Sequence, residues 1–482
     1  MRFRSIATAA LTLGALSSGT GLALAAEGGD TQADYTPFER FTPLASSTPC
    51  TGEESGRQSE PFVIPPEYQQ RVVAEEGDPG TNQNTDNWDM STQNEFGKDA
   101  GRYVYRTHEN RSGQASQVSL TDLKAGTTRI LAERQDWEAF DGIVWTPQGT
   151  ILAAEEVIAA SAKDPSVPQA NGGLVYELFV DRDNPSRLDP SRERITPGDG
   201  TTDTVKDGIR ARPALGAKSH EGMRFDKRGF LYGIAESRGQ TTAGQAGAIF
   251  RFIPDRKDDL SKGQLQALVT ENRRTGEGRW VDLDRTAVQV DADAEAERKG
   301  ANEYQRPEDV ETGQSTGKDR NNGGNTVYVA ITEGVEEGVL ALDVSAKDRP
   351  FAYAYVGTFA GNNPGGFNNP DNLALDSKGN LAIAEDPPTN LVGADVFVAA
   401  PPQGGKRHQP ARTVQRFSSL KDCLAEPSGV YFALKGTEKF SKEIGLEEVV
   451  NGETLFDHRQ HAGQGSALDQ LVAIAPKDDD KK

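Results

Sequence analysis

The chain has 482 residues, of which 35% are hydrophobic and 7% aromatic, with 51 Gly and 26 Pro. This composition disfavours a helical globule and favours a fold of many short strands joined by turns. The formal net charge of −20 argues against a nucleic-acid or anionic-membrane partner and suits a protein that holds divalent cations. Acidity can also serve solubility alone, so the positions of the carboxylates decide between the two interpretations.

The N-terminus has the pattern of a secretory signal peptide. Two arginines precede an apolar stretch over residues 6–24, and a small-residue cleavage site lies before Ala26. A membrane anchor is the alternative, but Thr, Ser and Gly dilute this stretch, and no later segment approaches the roughly 20 apolar residues that a membrane span needs. We therefore expect residues 1–25 to be a signal peptide, residues 26–95 to be an extended N-terminal arm, and the mature chain to be secreted or extracytoplasmic.

One sequence motif recurs along the rest of the chain. It consists of an acidic residue beside Gly, Asp or Ser, an apolar alternation, a turn, a second apolar run and another acidic residue. The copies begin, in chain order, at residues 141–145, 220–225, 306–310, 370–375 and 426–432. Each copy has the pattern of a β-hairpin followed by one or two more strands, which is typical of propeller blades.

An earlier and weaker unit over residues 103–131 brings the number of predicted blades to six. We therefore predict one all-β domain over residues 96–482, a six-bladed β-propeller with a metal-lined central channel. Few segments have a helical pattern, and one short helix is predicted over residues 292–300.

The recurring acidic residues predict a metal site. In a propeller the innermost strands line the central channel, so equivalent residues of successive blades meet at one axis. The acidic residues that start inner strands are Glu221, Glu308, Asp371 and Glu426. Those that end the following strands are Glu156, Glu236, Glu333 and Glu385.

Carboxylates gathered at one axis are unfavourable without a countercharge. Calcium resolves this, because it takes about six to eight oxygen ligands from carboxylates and from Asn side chains such as Asn372. A single Asp-Gly pair is usually only a turn, but an acidic position repeated in several blades favours metal binding.

Other catalytic signatures are missing from the sequence. It has no G-x-S-x-G nucleophile elbow and no His-rich zinc motif, since its five His are scattered. Three of them, His108, His220 and His461, lie inside repeat motifs and are expected to be structural. His408 and His458 are expected at the surface.

Cys50 and Cys423 are the two cysteines of the chain. In an oxidising compartment they can pair, and two free thiols are the alternative. Cys50 precedes the first blade and Cys423 starts the last one, and a closed ring places these segments side by side. We therefore expect a disulfide.

Several short motifs, in this order, resemble the PhoX-type alkaline phosphatase family. They are Thr107-His108-Glu109, residues 146–156, His220-Glu221-Gly222, Arg306-Pro307-Glu308, Pro370-Asp371-Asn372-Leu373, Glu426-Pro427-Ser428-Gly429 and residues 454–463. The resemblance implies a six-bladed propeller that holds calcium and iron and hydrolyses phosphate monoesters outside the cytoplasm. It also implies that Glu156, Glu221 and Glu308 are metal ligands and that Arg306 contacts phosphate.

The sequence departs from the family pattern in two places. Family members have a Cys iron ligand in the segment that ends in the Glu-Glu pair, and residues 137–156 contain no Cys. Members are usually exported folded by the twin-arginine route, whereas Phe3 separates Arg2 from Arg4 here. Both departures make iron doubtful, so we expect calcium alone.

The leading hypothesis is a secreted, monomeric, calcium-dependent phosphatase acting on a small-molecule phosphate ester. Its predicted catalytic residues are Arg306 and Glu308, which lie two apart on an extended strand and therefore face the same side. Its predicted metal ligands are Glu156, Glu221, Glu236, Glu308, Asp371 and Glu426. The alternatives are a catalytically silent calcium-stabilised propeller that binds a ligand or surface partner, and a lactonase-like ester hydrolase.

Overall fold

A computed structural model describes most of the chain between residues 37 and 477. The described ranges are 37–49, 58–77, 87–111, 115–160, 163–237, 247–273, 275–312, 325–387, 392–403, 407–461 and 469–477. They belong to one compact unit, Thr36–Lys482. The predicted signal peptide lies outside the described residues.

Cys423 is disulfide-bonded. The other cysteine of the chain, Cys50, lies outside the described residues.

Short strands account for most of the described structure. The first strands in chain order are β1 (Phe62–Val63), β2 (Tyr68–Glu75), β3 (Trp88–Gln93), β4 (Tyr103–His108), β5 (Ser116–Asp122), β6 (Thr127–Arg134), β7 (Phe140–Trp145), β8 (Ile151–Glu155), β9 (Val175–Leu178), β10 (Ile209–Ala211), β11 (Met223–Phe225), β12 (Leu231–Ile234), β13 (Gly247–Arg256) and β14 (Asp259–Thr270). The remaining strands are β15 (Gly276–Asp282), β16 (Glu303–Tyr304), β17 (Pro307–Glu311), β18 (Thr326–Ile331), β19 (Gly338–Asp343), β20 (Phe351–Gly357), β21 (Pro370–Leu375), β22 (Leu381–Glu385), β23 (Asp395–Ala400), β24 (Thr413–Leu420), β25 (Ala425–Phe432), β26 (Leu455–His461) and β27 (Gln470–Pro476).

The helices are few and short. Helix α1 (Ala292–Arg298) confirms the helix predicted over residues 292–300, and the side chain of Asp291 caps it by accepting a hydrogen bond from the backbone N of Ala294 at 2.9 Å. Helix α2 spans Glu438–Ser441. Single 3₁₀ turns occur at Pro37–Glu39, Pro190–Arg192, Pro213–Leu215, Ala287–Gln289, Thr358–Ala360 and Lys442–Ile444. No helix in the described part of the chain is long and apolar enough to cross a membrane.

Consecutive strands pair antiparallel, so the chain folds as a succession of meanders. Strands β3 to β6 form one sheet and β7 to β10 form the next. Strands β21 to β24 form a third sheet with β1 at its edge, and β25 to β27 form a fourth with β2 at its edge. The other strands form a ten-stranded sheet in the order β11-β12-β13-β14-β15-β20-β19-β18-β17, with β16 paired to β13. The architecture is therefore all-β and propeller-like.

Strands from the N-terminal part of the chain complete sheets of the C-terminal part. Phe62 of β1 pairs with Leu420 of β24, and Tyr68 of β2 pairs with Pro476 of β27. Together with β3, these strands lie within residues 26–95, the stretch predicted to be an extended arm. This stretch therefore contributes three strands to the sheets.

The first strands of the meanders, β3, β7, β11, β17, β21 and β25, follow one another around a common axis, and β25 packs against β3. Glycines lie where these inner strands touch. A Cβ atom on Gly142 would collide with the carbonyl oxygen of Glu221, and one on Gly222 would collide with Asp309. The acidic-Gly pairs of the repeat thus allow neighbouring inner strands to pack closely.

The core lies between neighbouring sheets and includes His458. Tyr105 of β4 and Trp145 of β7, for example, stack at 5.9 Å between ring centroids. His458 is fully buried in β26, where its Nε2 lies 3.2 Å from the Ser91 hydroxyl. The prediction that His458 lies at the surface is therefore wrong, because β3 covers the face of β26 that carries it.

Candidate active site

Three buried carboxylates meet at the axis. Glu221 precedes β11, Glu308 lies in β17 and Asp371 lies in β21. One carboxylate oxygen from each lies within 4.8 Å of those of the other two. Their side chains are shielded from solvent, with residue exposures of 3%, 1% and 6%. The structure thus brings together three of the predicted metal ligands.

Equivalent positions of other inner strands also carry carboxylates. Asp89 in β3, Asp141 in β7 and Glu426 in β25 each follow the first residue that pairs with the second strand, as Glu308 and Asp371 do. The register of each pair shifts within the next few residues, and such a bulge re-aims side chains. Asp89 and Asp141 are buried and Glu426 is half-buried. The acidic centre therefore extends around the axis beyond the trio.

A second set of acidic side chains follows the strands that pair with the inner ones. Glu109, Glu156, Glu236 and Asp386 each donate a backbone N–H bond to the carbonyl oxygen of a residue at the entrance of an inner strand, at 2.8, 2.8, 3.1 and 2.9 Å respectively. This shared pairing makes their positions equivalent. Glu156 and Glu236, two predicted ligands, interact directly: after burial, the charges of Glu109 and Glu236 raise the pKa of Glu156 well above its ordinary value.

Neighbouring acids at the ends of these strands point in opposite directions. Glu155 accepts hydrogen bonds from the backbone N of Glu138 and of Leu174, at 3.0 and 2.8 Å. Glu385 accepts one from the backbone N of Asn368 at 2.7 Å. Alternate strand residues face opposite sides, so these carboxylates fix loops while the next residue faces the axis.

Glu385 ends β22 as predicted, but its carboxylate binds a loop and does not face the axis. Glu333 lies two residues beyond the end of β18, so the prediction that it ends this strand is wrong. Asp386 takes the place expected for Glu385. In the β17–β18 pair the equivalent position is Thr332, whose backbone N donates to the carbonyl oxygen of Arg306 at 3.0 Å.

Arg306 lies directly beside the trio. Its Nε is 2.6 Å from Glu308 Oε1 and 2.8 Å from Glu236 Oε1, and its Nη1 forms an ion pair with Asp386. Burial lowers the pKa of Arg306, but the attraction of Glu308 and Glu236 outweighs this and raises it, so the guanidinium stays charged. Nη2 has no hydrogen bond to any residue in the described part of the chain.

The backbone of Arg306 has a φ of +51°, and Ala139 and Asn369, at equivalent entrances of β7 and β21, have φ of +46° and +45°. Left-handed backbone at a non-Gly residue is uncommon and costs free energy. Strand alternation alone therefore does not place Arg306 beside Glu308. The turn into the inner strand does.

A second guanidinium reaches the same site. The Nε of Arg111 donates to Glu109 Oε1 at 2.7 Å, and its Nη2 forms ion pairs with both Glu109 and Glu156. The Arg111 side chain is 50% exposed, so it can reach a molecule that enters from solvent. Arg111 follows the Thr107-His108-Glu109 motif by two residues, and no sequence pattern singles it out.

Ionising all the carboxylates of this centre without a bound cation would destabilise the folded protein. Burial, partly offset by contacts with Glu221 and Arg306, raises the pKa of Glu308 to about 8. Burial and the charges of Glu109 and Asp371 raise the pKa of Asp89 to about 8. Burial and the repulsion of neighbouring carboxylates also raise the pKa values of Asp141, Glu221 and Glu426 well above their ordinary values. The centre therefore requires protons or a cation at neutral pH.

The donor set suits a cation that prefers oxygen. Asp141 Oδ1 and Glu221 Oε2 are buried and accept no hydrogen bond within the described residues. Buried polar atoms are normally paired, and a cation bound by the trio would satisfy Glu221. Asn372 does not contribute its oxygen, because Oδ1 accepts hydrogen bonds from Gly429 N at 2.5 Å and Ser428 Oγ at 3.2 Å. The trio can hold a metal ion, with further carboxylates close by.

Fold and site together define a propeller-like protein with an axial acidic centre suited to metal ions. The family model of alkaline phosphatase PhoX matches residues 142–414, and the chain belongs to this family. It is therefore a phosphoric ester hydrolase of the alkaline phosphatase type.

Solved structures are similar at the level of the fold. Pseudomonas fluorescens PhoX in complex with vanadate, a transition state analogue, has a TM-score of 0.57 and 17% identity, covering 91% of this chain and 98% of that one. A gluconolactonase from Xanthomonas campestris has a TM-score of 0.43 and 11% identity, covering 90% and 98%. No curated protein matches the sequence.

Proposed function

We propose that the protein is a secreted, calcium-dependent phosphatase that hydrolyses small-molecule phosphate esters at the axial centre. The observation that carries this proposal is the contact between Arg306 and the buried trio of Glu221, Glu308 and Asp371. A phosphate ester needs positive charge around its oxygens. The trio supports this charge through a bound cation, and Arg306 supplies it directly.

Calcium is the proposed metal because the donors are carboxylate oxygens, with further carboxylates close to the trio. Calcium accepts about six to eight oxygen ligands in flexible geometry, whereas magnesium demands near-ideal octahedral geometry. We propose Glu221, Glu308 and Asp371 as its main ligands, with Glu156, Glu236 and Glu426 as further ones. When bound, the metal polarises phosphoryl oxygens and lowers the pKa of a bound oxygen nucleophile.

The chain's own cations bind and orient the phosphoryl group. Glu236 and Asp386 fix Arg306 from two sides, which leaves the Nη2 edge of its fork for the oxygens of the substrate. Arg111, held by Glu109 and Glu156, provides a second guanidinium from the solvent side. The complex of Pseudomonas fluorescens PhoX with vanadate, a transition state analogue, supports a phosphoryl group as the ligand.

We further propose that the propeller has six blades, is monomeric and is exported. Within the ten-stranded sheet, β11 to β14 and β17 to β20 each form a four-stranded meander, and β15 joins them through a short pairing with β20. Counting these meanders separately supports the six-bladed prediction. Export is supported by the signal-peptide pattern of residues 1–25.

Hydrolysis of a chromogenic phosphomonoester tests the proposal. Activity should appear with calcium, disappear after chelation and return when calcium is restored. Glu221→Gln should abolish the calcium response, whereas Glu277→Gln, which changes an exposed carboxylate of strand β15, should leave it intact. A protein that stays equally active without calcium contradicts the metal assignment. Hydrolysis of a lactone but of no phosphoester would favour the lactonase-like alternative.

A further inference from the structure

A cavity of about 1250 Å³ lies at the end of the inner strands opposite the acidic centre. Strands β3 and β7 start at the acidic centre with Asp89 and Asp141 and run away from it. The cavity is lined by Phe96, just beyond β3, and by Trp145, the last residue of β7. The length of one strand, roughly 15 Å, therefore separates the two sites.

The connection between β9 and β10, residues 179–208, builds one wall of this cavity. Its Arg192 donates hydrogen bonds to the carbonyl oxygens of Gly149 and Gln148 at 2.9 and 3.0 Å. Its Glu193 is buried, pairs with Arg210 and accepts a hydrogen bond from Gly208 N at 2.9 Å. A long connection held by buried polar contacts is a built structure, and such connections are usually functional.

Exposed cations line the cavity. The carboxylates of Glu177, Asp181 and Glu193 are already paired with arginines. The exposed cations Arg182, Arg194, Lys206 and Arg256 make no ion pair in the described structure. These four exposed cations, called the basic patch below, outnumber the two exposed carboxylates of the lining, Asp183 and Asp258, whereas Asp189 and Asp259 are half-buried. The patch favours an anionic ligand.

Two buried donors at the cavity lack acceptors. Arg212 is 3% exposed and donates through Nε to Glu177 Oε2 at 2.7 Å, but its Nη1 has no partner within the described residues. Trp145 is also 3% exposed, and its Nε1 has no partner there either. Both residues line the cavity. Both atoms lie behind the surface of the cavity, so the exposed side chains of the lining select the ligand.

The lining also offers an apolar surface and hydrogen-bond acceptors. Phe96 and Ile195 are 43% and 42% exposed, and Phe96 packs edge-to-face on Trp145 at 5.8 Å. The carboxylates of Asp183 and Asp258 are exposed at the rim. These carboxylates repel a polyanion but accept hydrogen bonds from hydroxyl groups. A ligand with one negative charge, several hydroxyls and a ring face matches all three features.

We propose that this cavity binds an acidic saccharide. The carboxylate of a uronic-acid unit pairs with the basic patch, its hydroxyls donate to Asp183 and Asp258, and a ring face packs on Phe96. The volume exceeds the range of about 300–1000 Å³ common for small-molecule sites and leaves room for more than one sugar ring. The site lies away from the axial centre and does not depend on the phosphatase reaction.

Titration calorimetry with the full chain tests this inference. A trisaccharide of galacturonic acid should bind saturably and at least about tenfold more tightly than the neutral trisaccharide maltotriose. The double substitution Arg194→Ala and Arg256→Ala should weaken binding at least about tenfold. Both side chains are exposed, so folding should be unaffected.

The control is Arg279→Ala, which removes an exposed arginine of β15 outside the cavity and should leave the affinity unchanged. All variants should keep wild-type phosphatase activity and melting temperature. The inference is overturned if the galacturonic trisaccharide does not bind at millimolar concentration. It is equally overturned if maltotriose binds as tightly, or if the double variant binds like wild type.

Discussion

Arg306 and Glu308 form an ion pair, with 2.6 Å between Nε and Oε1, at the point where strand β17 enters the axial centre. Replacing Arg306 by Lys keeps the charge but removes the planar fork that orients phosphoryl oxygens. Phosphatase turnover should fall at least about tenfold while the melting temperature stays nearly unchanged. Glu308→Gln should lower both activity and calcium affinity. Wild-type turnover in Arg306→Lys would show that the role assigned to Arg306 is wrong.

Arg111 should contribute mainly to substrate binding, because its side chain is half exposed and reaches the site from solvent. Arg111→Ala removes charge-assisted hydrogen bonds and should raise KM about tenfold, with a smaller effect on kcat. Arg111→Lys should recover part of this loss. Arg407→Ala, at an exposed position, serves as the control. Unchanged steady-state kinetics in Arg111→Ala would contradict this assignment.

The metal-free protein should lose stability as the pH rises. Burial and neighbouring charges raise the pKa values of Asp89 and Glu308 to about 8, above the ordinary values of roughly 4 in an unfolded chain. A raised carboxyl pKa stabilises the folded state while the group is protonated, and this stability is lost between about pH 4 and pH 8. Melting temperatures of dialysed protein should therefore fall across this range.

Calcium should abolish most of this pH dependence, because the cation replaces the protons as countercharge and binds only the folded state. At neutral pH its removal should lower the melting temperature by several degrees. Identical melting curves with and without calcium would count against a metal at the axis.

Protein purified without chelator should contain calcium and less than one iron per chain. The segment that carries a Cys iron ligand in the family has none here between residues 137 and 156. In its place the described centre offers carboxylates, which suit hard cations. Elemental analysis by mass spectrometry measures both metals. A stoichiometric, coloured iron centre would contradict this prediction.

The disulfide of Cys423 should join it to Cys50, the only other cysteine of the chain. Thiol labelling in denaturant should detect no free thiol before reduction and two after it. For a loop closed between residues 50 and 423, the loop-entropy relation gives about 6 kcal/mol as an upper limit to the stabilisation. The double substitution Cys50→Ser and Cys423→Ser should therefore lower the free energy of unfolding. Two reactive thiols without reductant would refute the bridge.

The sequence was sufficient to locate carboxylates that recur in phase. Glu221, Glu308 and Asp371 each lie near the start of a copy of the same motif. Their convergence therefore follows from the repeat and from the propeller geometry. Asp141 starts the first copy and carries the same signal. The Asp141-Gly142 pair is also typical of an ordinary turn. For this reason the sequence alone does not identify Asp141 as a residue of the axial centre.

Other site residues depend on geometry that no pattern displays. Asp89 lies in a stretch without a repeat, and only the pairing of β3 with β4 reveals that it is equivalent to Asp141. Which of Glu385 and Asp386 faces the axis depends on the register of β22, because a shift of one residue reverses the direction of both side chains. The approach of Arg111 to Glu156 joins two loops far apart in sequence. Burial of His458 likewise results from tertiary packing against β3.

The pairing of β2 with β27 joins the two ends of the described chain and therefore forms late in folding. Tyr68 pairs with Pro476, so the last sheet is complete only after nearly the whole chain has been synthesised. Contacts between such distant positions in the chain make folding slow. The inner strand of this sheet, β25, closes the circle by packing against β3, and Glu426 and Asp89 join the trio from these two strands. The full set of axial carboxylates is therefore complete only when nearly the whole chain has folded, and a chain that lacks β27 should bind calcium more weakly and hydrolyse phosphate esters more slowly.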